Sequence, residues 1–251
     1  MAEVPGILPE HEQEFKQYFD LIDINELRDA RVCDIGCGIG RWSYFLKDKC
    51  RELILVDFSE AIFMARRNLK DASNVIFFMG EIKRLPFGKD FADFLFCLGV
   101  LHHLPTNAID EVRELKKSAP TLLIYLYYAL DNRPFYFRIL LATATTLRKV
   151  VSKIRNPLFR TLFTWLAMCL FYFPLIWVGG ILKPFKLSHY IPLYETYERK
   201  SLHRIRQDVY DRFFTRIEQR FTKKQILELK DTFSKVTISD HQPYWHFICQ
   251  R

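Results

Sequence analysis

The sequence predicts a doubly wound α/β domain with an apolar, basic-flanked helical insertion after its fifth strand. Three observations carry that expectation. Residues 31–43 run from a short apolar strand into a glycine-rich turn. Short β-prone runs then alternate with helical stretches, the pattern of a parallel sheet with right-handed crossovers. A run of 21 residues without a charge, Leu162 to Leu182, interrupts that alternation before the last two strand-like segments.

The glycine turn comes first. Val32 to Ile35 reads as a buried strand, followed by Gly36, Gly38 and Gly40. Glycines at alternate positions let the backbone turn sharply and approach a ligand closely. The dinucleotide fingerprint Gly-x-Gly-x-x-Gly would need its third glycine at Arg41, which disfavours a pyrophosphate ligand. A helix is expected next, with Trp42, Phe45 and Leu46 facing inward. Upstream, residues 10–22 carry Phe15, Tyr18, Phe19 and Ile22 at helical spacing. That helix either packs on the sheet or covers the ligand.

The second strand, Glu52 to Asp57, ends in a carboxylate. An acid at this place accepts hydrogen bonds from ribose hydroxyls. Asp57 could instead cap the helix that follows. The third strand is Val75 to Met79, leading into Gly80-Glu81-Ile82. The fourth is Phe91 to Cys97, leading into Leu98-Gly99-Val100-Leu101-His102-His103-Leu104. The fifth is Thr121 to Tyr127.

Length and composition fit one large domain, or one domain with an insertion: 251 residues, 49% hydrophobic. The six cysteines show no C-x-x-C spacing, which argues against a zinc site or a disulfide framework and for reduced thiols in the cytosol. Met1 to Gly6 has neither a basic nor an apolar leader region, so no signal peptide is expected. The net charge of +8 is local. Asp131 to Arg206 holds 13 Lys or Arg against three acids, and the rest of the chain is slightly acidic.

Four motifs in order make the first half resemble the class I S-adenosylmethionine-dependent methyltransferases, in the small-molecule group with Leu-His-His-Leu after the fourth strand. They are Asp34-x-Gly36-x-Gly38-x-Gly40, Val56-Asp57-x-Ser59, Gly80-Glu81 with Leu85-Pro86-Phe87, and Leu101-His102-His103-Leu104. The resemblance covers roughly residues 28–128 and, more loosely, the last 45. It implies a Rossmann-like seven-stranded, mostly parallel sheet with the last strand antiparallel. It implies S-adenosyl-L-methionine as cofactor, with the methionine end at Asp34, Gly36, Gly38 and Gly40 and the ribose at Asp57. Phe58 joins the cofactor-facing group. Glu81 would meet the adenine amino group, the Ile82 backbone would lie beside the ring, and Leu98 beneath the sulfonium. Glu81 in place of the commoner Asp, Ile62 for Met, Ala92 for Phe, and Ser118-Ala119-Pro120 for Pro-Gly-Gly depart from the pattern without removing a cofactor contact.

The insertion begins with Pro134 to Arg155, read as a basic amphipathic helix with Leu140, Thr143, Leu147, Val151 and Ile154 on one face. The uncharged run that follows has the length of a membrane crossing. Strands precede and follow it, and one sheet cannot be completed from both sides of a bilayer. Pro174 and Gly179-Gly180 also break the run. The expected form is a helical hairpin or an in-plane element dipping into one leaflet, through 134–186. A cap over the active site and a dimer interface are the alternatives. The expected organisation is therefore 1–130 cofactor-binding core, 131–206 insertion and 207–251 closing part of the sheet.

In the closing part, Thr222 to Gln225 is a capping box. Lys235 to Ser239 and Tyr244 to Cys249 are the last strands. Asp211, Arg212, Glu218 and Arg220 are either site residues or a solvated ion-pair network. Methyl transfer to a hydroxyl needs a base, and His suits neutral pH. His103 is the first candidate, His102 the second, with Tyr127, Tyr128 and Asp211 as further choices. Both histidines could also be structural. No Asp/Asn-Pro-Pro-Tyr run follows the fourth strand, which disfavours nucleic-acid amino groups.

The reading is a methyltransferase acting at oxygen on a lipophilic or lipid-linked small molecule, peripheral to the inner face of the membrane. The alternatives are a soluble small-molecule methyltransferase, an RNA methyltransferase using the basic segment, and a non-catalytic cofactor-binding module.

Overall fold

A computed structural model describes residues 6–8 and 10–251, so the leader expectation for Met1 to Gly6 falls almost wholly outside the described residues. The chain divides into two compact units, 1–128 with 219–251, and 129–218.

The first unit is built on seven strands: β1 Arg31–Ile35, β2 Glu52–Asp57, β3 Val75–Met79, β4 Phe94–Leu98, β5 Thr121–Tyr125, β6 Lys235–Ile238 and β7 His246–Gln250. Their order is β3-β2-β1-β4-β5-β7-β6. β1 to β5 pair in parallel, and β7 runs antiparallel to both β5 and β6. The seven-stranded doubly wound sheet is therefore as the sequence predicts. The strand order reverses between β1 and β4, and the crevice outside their carboxyl ends is where such sheets bind ligands.

Alternation along the strands splits the core in two. Cys33, Ile54, Val56, Leu95, Cys97, Leu122 and Ile124 face one side, under residues 108–115 and 226–233. Val32, Leu53, Leu55, Phe94, Phe96 and Leu123 face the other, under residues 15–19 and 62–69. The helices are α1 Glu10–Tyr18, α2 Ala61–Asn68 and α3 Ala108–Leu115. A further short helix, Lys223–Leu227, opens on the expected Thr222–Gln225 capping box. Side chains such as Phe96 and Leu95 are fully buried, each worth about 1.5–3 kcal/mol of transfer free energy.

Three local expectations are corrected. No α-helix follows the glycine turn; residues 38–50 form turns around one 3₁₀ turn, Ser43–Phe45. The stretch uses mixed i→i−3 and i→i−4 bonds, such as Leu46 N to Ser43 O and Tyr44 N to Gly40 O, and Ser43 is drawn inward. The fourth strand starts at Phe94, and Phe91 lies outside the ladder with its ring tilted against Phe87 at 4.3 Å. The segment 10–22 is helical only to Tyr18. Phe15 and Phe19 stack at 4.3 Å and are buried in the sheet-facing core, so this element packs on the sheet.

The second unit holds α4 Phe135–Val151, α5 Pro157–Ala167, α6 Phe173–Leu182, α7 Tyr194–Tyr197 and α8 Leu202–Phe214. It extends to Glu218, so residues 207–218 belong to it and not to the closing part of the sheet. The expected hairpin is absent. α5 and α6 join through a wider π-type turn, Met168–Tyr172, into one continuous helix from Pro157 to Phe185. In that turn Phe173 N reaches back to Met168 O. The shifted bonding accommodates Pro174, which lacks an N–H. Gly179 does not break the helix either, because it seats the Tyr194 ring.

The face predicted for α4 is also corrected. Phe137, Arg148 and Val151 are buried, while Leu140 and Leu147 are exposed. Arg148 pairs with Glu218 at 3.0 Å with both side chains buried. That bond turns the helix so that a basic residue faces inward. It also makes Glu218 a buried ion-pair partner, in place of a site residue or a solvated one.

Candidate cofactor and acceptor site

The glycine turn leaves the carboxyl end of β1 at the reversal point of the sheet. Gly36 has φ +76°, and a Cβ there would sit 2.3 Å from a Val100 methyl. The turn after β1 and the loop after β4 thus lock together through the missing side chain. Gly38 has φ +54°, and a Cβ on it would meet nothing within 4 Å. Gly40 lies against Ala65 of α2 and Leu69 just beyond it.

Asp57 clasps this turn. Its Oδ2 accepts from the Gly38 N–H at 2.7 Å, and its Oδ1 accepts from the Ser59 N–H at 2.8 Å and the Ser59 hydroxyl at 2.7 Å. The carboxylate is half-buried. Its Oδ2 keeps a free lone pair for a further donor. Phe58 and Met79 beside it are 74% and 55% exposed, an unusual pair of bare apolar side chains on this unit. Met79 is the register partner of Asp57. Glu81 follows β3, exposed, 3.5 Å from Arg84 Nε, and Ile82 is half-buried against the core.

Asp34 lies beneath the turn, 1% exposed, and accepts from the Ser43 hydroxyl at 2.7 Å. Burial pushes its carboxyl up to about 8, against the lowering effect of the Ser43 bond, and the nearby Asp57 charge adds to the rise.

Across the crevice, β4 ends at Leu98, nearly buried, and pairs in register with Tyr125. The 3₁₀ turn Leu101–His103 follows. His102 is fully buried, with its ring stacked on Tyr127 at 3.8 Å, and neither ring nitrogen makes a well-formed hydrogen bond. Burial holds it well below the usual imidazole range, with the neighbouring His103 and Arg220 acting in the same direction. His102 is therefore neutral and closed off from solvent. His103 is half-buried, 4.2 Å from His102 and 5.5 Å from Tyr127 between ring centroids. Arg220 lies 5.2 Å from the Tyr127 ring and donates to Tyr128 O. Asp211 is exposed on α8 and belongs to the second unit.

Sequence reasoning missed two features. Gln219 clamps the histidine loop: its backbone N–H donates to His102 O at 2.9 Å, its Nε2 donates to Leu104 O and Thr106 O, and its Oε1 accepts from Ala108 N–H. Its neighbours Glu218 and Arg220 drew attention through their charge, which a glutamine lacks. The second feature is an aromatic lining. Tyr18 packs on Trp42 at 5.0 Å and on Tyr125 at 5.1 Å, and Tyr125 lies 5.8 Å from Tyr127. Asp20 fixes the end of this lining, accepting from Ser239 Oγ and bonding His246 Nε2 at 2.6 Å.

Residues 32–118 match the family model described as a methyltransferase domain. Over residues 32–118 the chain is thus similar to methyltransferase domains, and the glycine turn with β2 to β4 falls within that match. Among curated relatives, the chain is similar to a tRNA U34 carboxymethyltransferase of Sulfurimonas denitrificans, 25% identical over 55% of this chain and 47% of the relative. It is similar to another of that name from Campylobacter hominis, 32% identical over 42% of this chain and 38% of the relative. The chain thus spans less than half the length of these relatives. A solved structure of the YcgJ protein from Bacillus subtilis is 26% identical, with 53% of this chain and 58% of that chain covered and a TM-score of 0.43.

Proposed function

We propose that the protein transfers a methyl group from S-adenosyl-L-methionine to oxygen of a lipophilic or lipid-linked small molecule, working peripherally at the cytoplasmic face of a membrane. The observation that carries the reading is the Asp57–Gly38 clasp, a carboxylate-braced, side-chain-free backbone at the reversal point of the sheet. Asp57 would hold the ribose, the Gly36–Gly40 backbone the methionine end, and Phe58 with Met79 an exposed apolar bed for the adenine beside Glu81 and Ile82. When bound, the cofactor supplies an electrophilic methyl on a sulfonium.

This chain's residues then align and desolvate the acceptor. Tyr18, Trp42, Tyr125 and Tyr127 suit an apolar acceptor and exclude water from it. His103 takes the acceptor's proton as general base. His102, neutral and stacked on Tyr127, together with Gln219, positions that loop. An acceptor at oxygen gains most from such a base.

Titration calorimetry on the full chain, with turnover on lipid extracts followed by mass spectrometry, tests this. Asp57→Ala should weaken cofactor binding on the order of a hundredfold, about 2.7 kcal/mol. His103→Ala should bind cofactor normally and lose roughly 10²–10⁴ in rate. Near-normal affinity in the first variant refutes the ribose role, and an unchanged rate in the second moves the base elsewhere.

A second reading, transfer to RNA, is favoured by the names of the two curated relatives. Radiolabelled methyl appearing in added tRNA, with none in the lipid phase, would replace the acceptor class proposed here.

A further inference from the structure

We infer that the second unit carries an anionic-phospholipid site: the Pro157–Phe185 helix lies along the bilayer surface, and the groove between α5 and α8 takes a lipid phosphate. This deepens the membrane part of the reading above and stands or falls separately from methyl transfer.

The first observation is an unpartnered apolar stripe. Leu158, Leu162, Trp165, Leu170, Trp177 and Ile181 follow one another along the continuous helix and are 41–75% exposed. All but four of the exposed large hydrophobics among the described residues belong to this unit, the four being Phe58, Phe63, Ile76 and Met79. A patch of this extent marks an interaction surface.

The second observation is the groove that borders the stripe. Its volume is about 320 Å³, and it is lined by Thr161 and Thr164 of α5 and by His203, Arg206, Gln207 and Tyr210 of α8. The α8 residues recur at i, i+3, i+4 and i+7, which makes one face. Arg160 Nη1 donates to the Tyr210 hydroxyl at 3.2 Å, adding a second cation to Arg206 at the rim. No carboxylate lines the groove. Arg206 has no ion-pair partner among the described residues; on the same helix Arg204 pairs with Asp208 at 2.7 Å. Thr161 stands next to Leu162 and Leu158 on the helix surface, so a phosphate in the groove would have its acyl chains over the stripe.

Charge selects the occupant. Lys149, Lys153, Arg155, Lys186 and Arg199 are exposed and make no ion pair among the described residues. A surface that is apolar along its middle and cationic around it fits anionic lipid better than a second copy of itself, whose cations would repel.

Orientation follows from packing. The helix spans 29 residues, about 43 Å, enough to cross a bilayer. Its inner face is covered by aromatic side chains of α7 and α8. Phe163 packs on Phe213 of α8, Tyr172 on Tyr197, and Gly179 on Tyr194 of α7. α8 carries Arg204 and Asp208, and Lys200 just before it pairs with Asp208 at 3.2 Å. A crossing helix would drag these charges into hydrocarbon, where they are expensive. An in-plane helix keeps them on the water side.

Flotation of the full chain on phosphatidylcholine vesicles, with and without phosphatidylglycerol, tests the site. Binding should require the anionic lipid. Leu162→Glu with Trp165→Glu should abolish it, Arg206→Glu should weaken it about tenfold, and Arg216→Glu, the same charge change outside the groove, should change it less than about twofold. Circular dichroism and cofactor binding on the same samples show that each variant is folded. Equal binding to both vesicle types, or equal loss in Arg206→Glu and Arg216→Glu, overturns the phosphate subsite. A dimer split by Leu162→Glu, with no flotation, makes the stripe a subunit interface. Stabilisation by inorganic phosphate through Arg206 without lipid binding makes the occupant a soluble phosphoryl compound. Vesicle binding without cofactor binding would leave the lipid site standing and sink the methyltransferase reading.

Discussion

Asp34 shows how one side chain ties the cradle to stability. It sits buried under the glycine turn, and its Oδ2 accepts from Ser43. Burial raises its carboxyl to about 8, whereas the unfolded chain ionises it near the ordinary value of 3.8. The folded state therefore holds a proton that the unfolded state releases. Its contribution to stability is greatest below about pH 4, falls as pH rises toward 8, and levels off beyond. Asp34→Asn keeps the shape and an acceptor for Ser43 but cannot ionise. It should flatten the stability profile between pH 4 and 8 and stabilise the protein at pH 8 on the order of a few kcal/mol. Chemical denaturation across that range measures it, and a slope identical to wild type would mean Asp34 titrates as an ordinary exposed acid.

Single elements show which features a sequence encodes locally. β1, the glycine turn and β2 are legible because strand, turn and terminal carboxylate lie within 27 residues of one another and need no partner to be recognised. The α5–α6 helix was misread because Pro174 and Gly179 are local breakers whose effect depends on neighbours. A widened turn absorbs the first, and the Tyr194 ring occupies the space beside the second. The inward turn of Arg148 is not legible locally because its partner, Glu218, is 70 residues away. A still longer range hides Gln219, which acts on a loop more than 110 residues upstream. The two adjacent glycines give a matched test of packing. A Cβ at Gly179 would meet Tyr194 at 2.2 Å, while one at Gly180 would meet nothing within 4 Å. Gly179→Ala should destabilise the protein by about 1–3 kcal/mol. Gly180→Ala should stabilise it by about 0.5–1 kcal/mol, the helix-propensity gain. Thermal melts that rank the two the other way would place Tyr194 off the helix.

At the scale of the whole molecule, charge and core divide along the same line. The sheet unit carries 22 basic and 23 acidic residues and has an apolar core on each face of its sheet; the helical unit carries 15 basic and six acidic residues and has its own core around Met168, Tyr197 and Val209. The chain leaves the sheet unit after Tyr128 and re-enters at Gln219. These two points are stitched together by Phe221 N to Tyr127 O at 2.8 Å, by a parallel bridge between Tyr128 and Phe221, and by Arg220 to Tyr128 O. Chain ends held this close allow a whole unit to be replaced by a short linker at little cost in loop entropy. Excision of 129–218 behind a Gly-Ser linker should therefore leave a cooperatively melting protein. It should bind S-adenosylmethionine within about threefold of wild type, ~0.6 kcal/mol, because every residue assigned to the cradle stays in place. It should also lose vesicle binding entirely. An excised protein that melts without cooperativity would show that the helical unit is needed to fold the sheet. One that folds but no longer binds the cofactor would mean the insertion contributes part of the cradle.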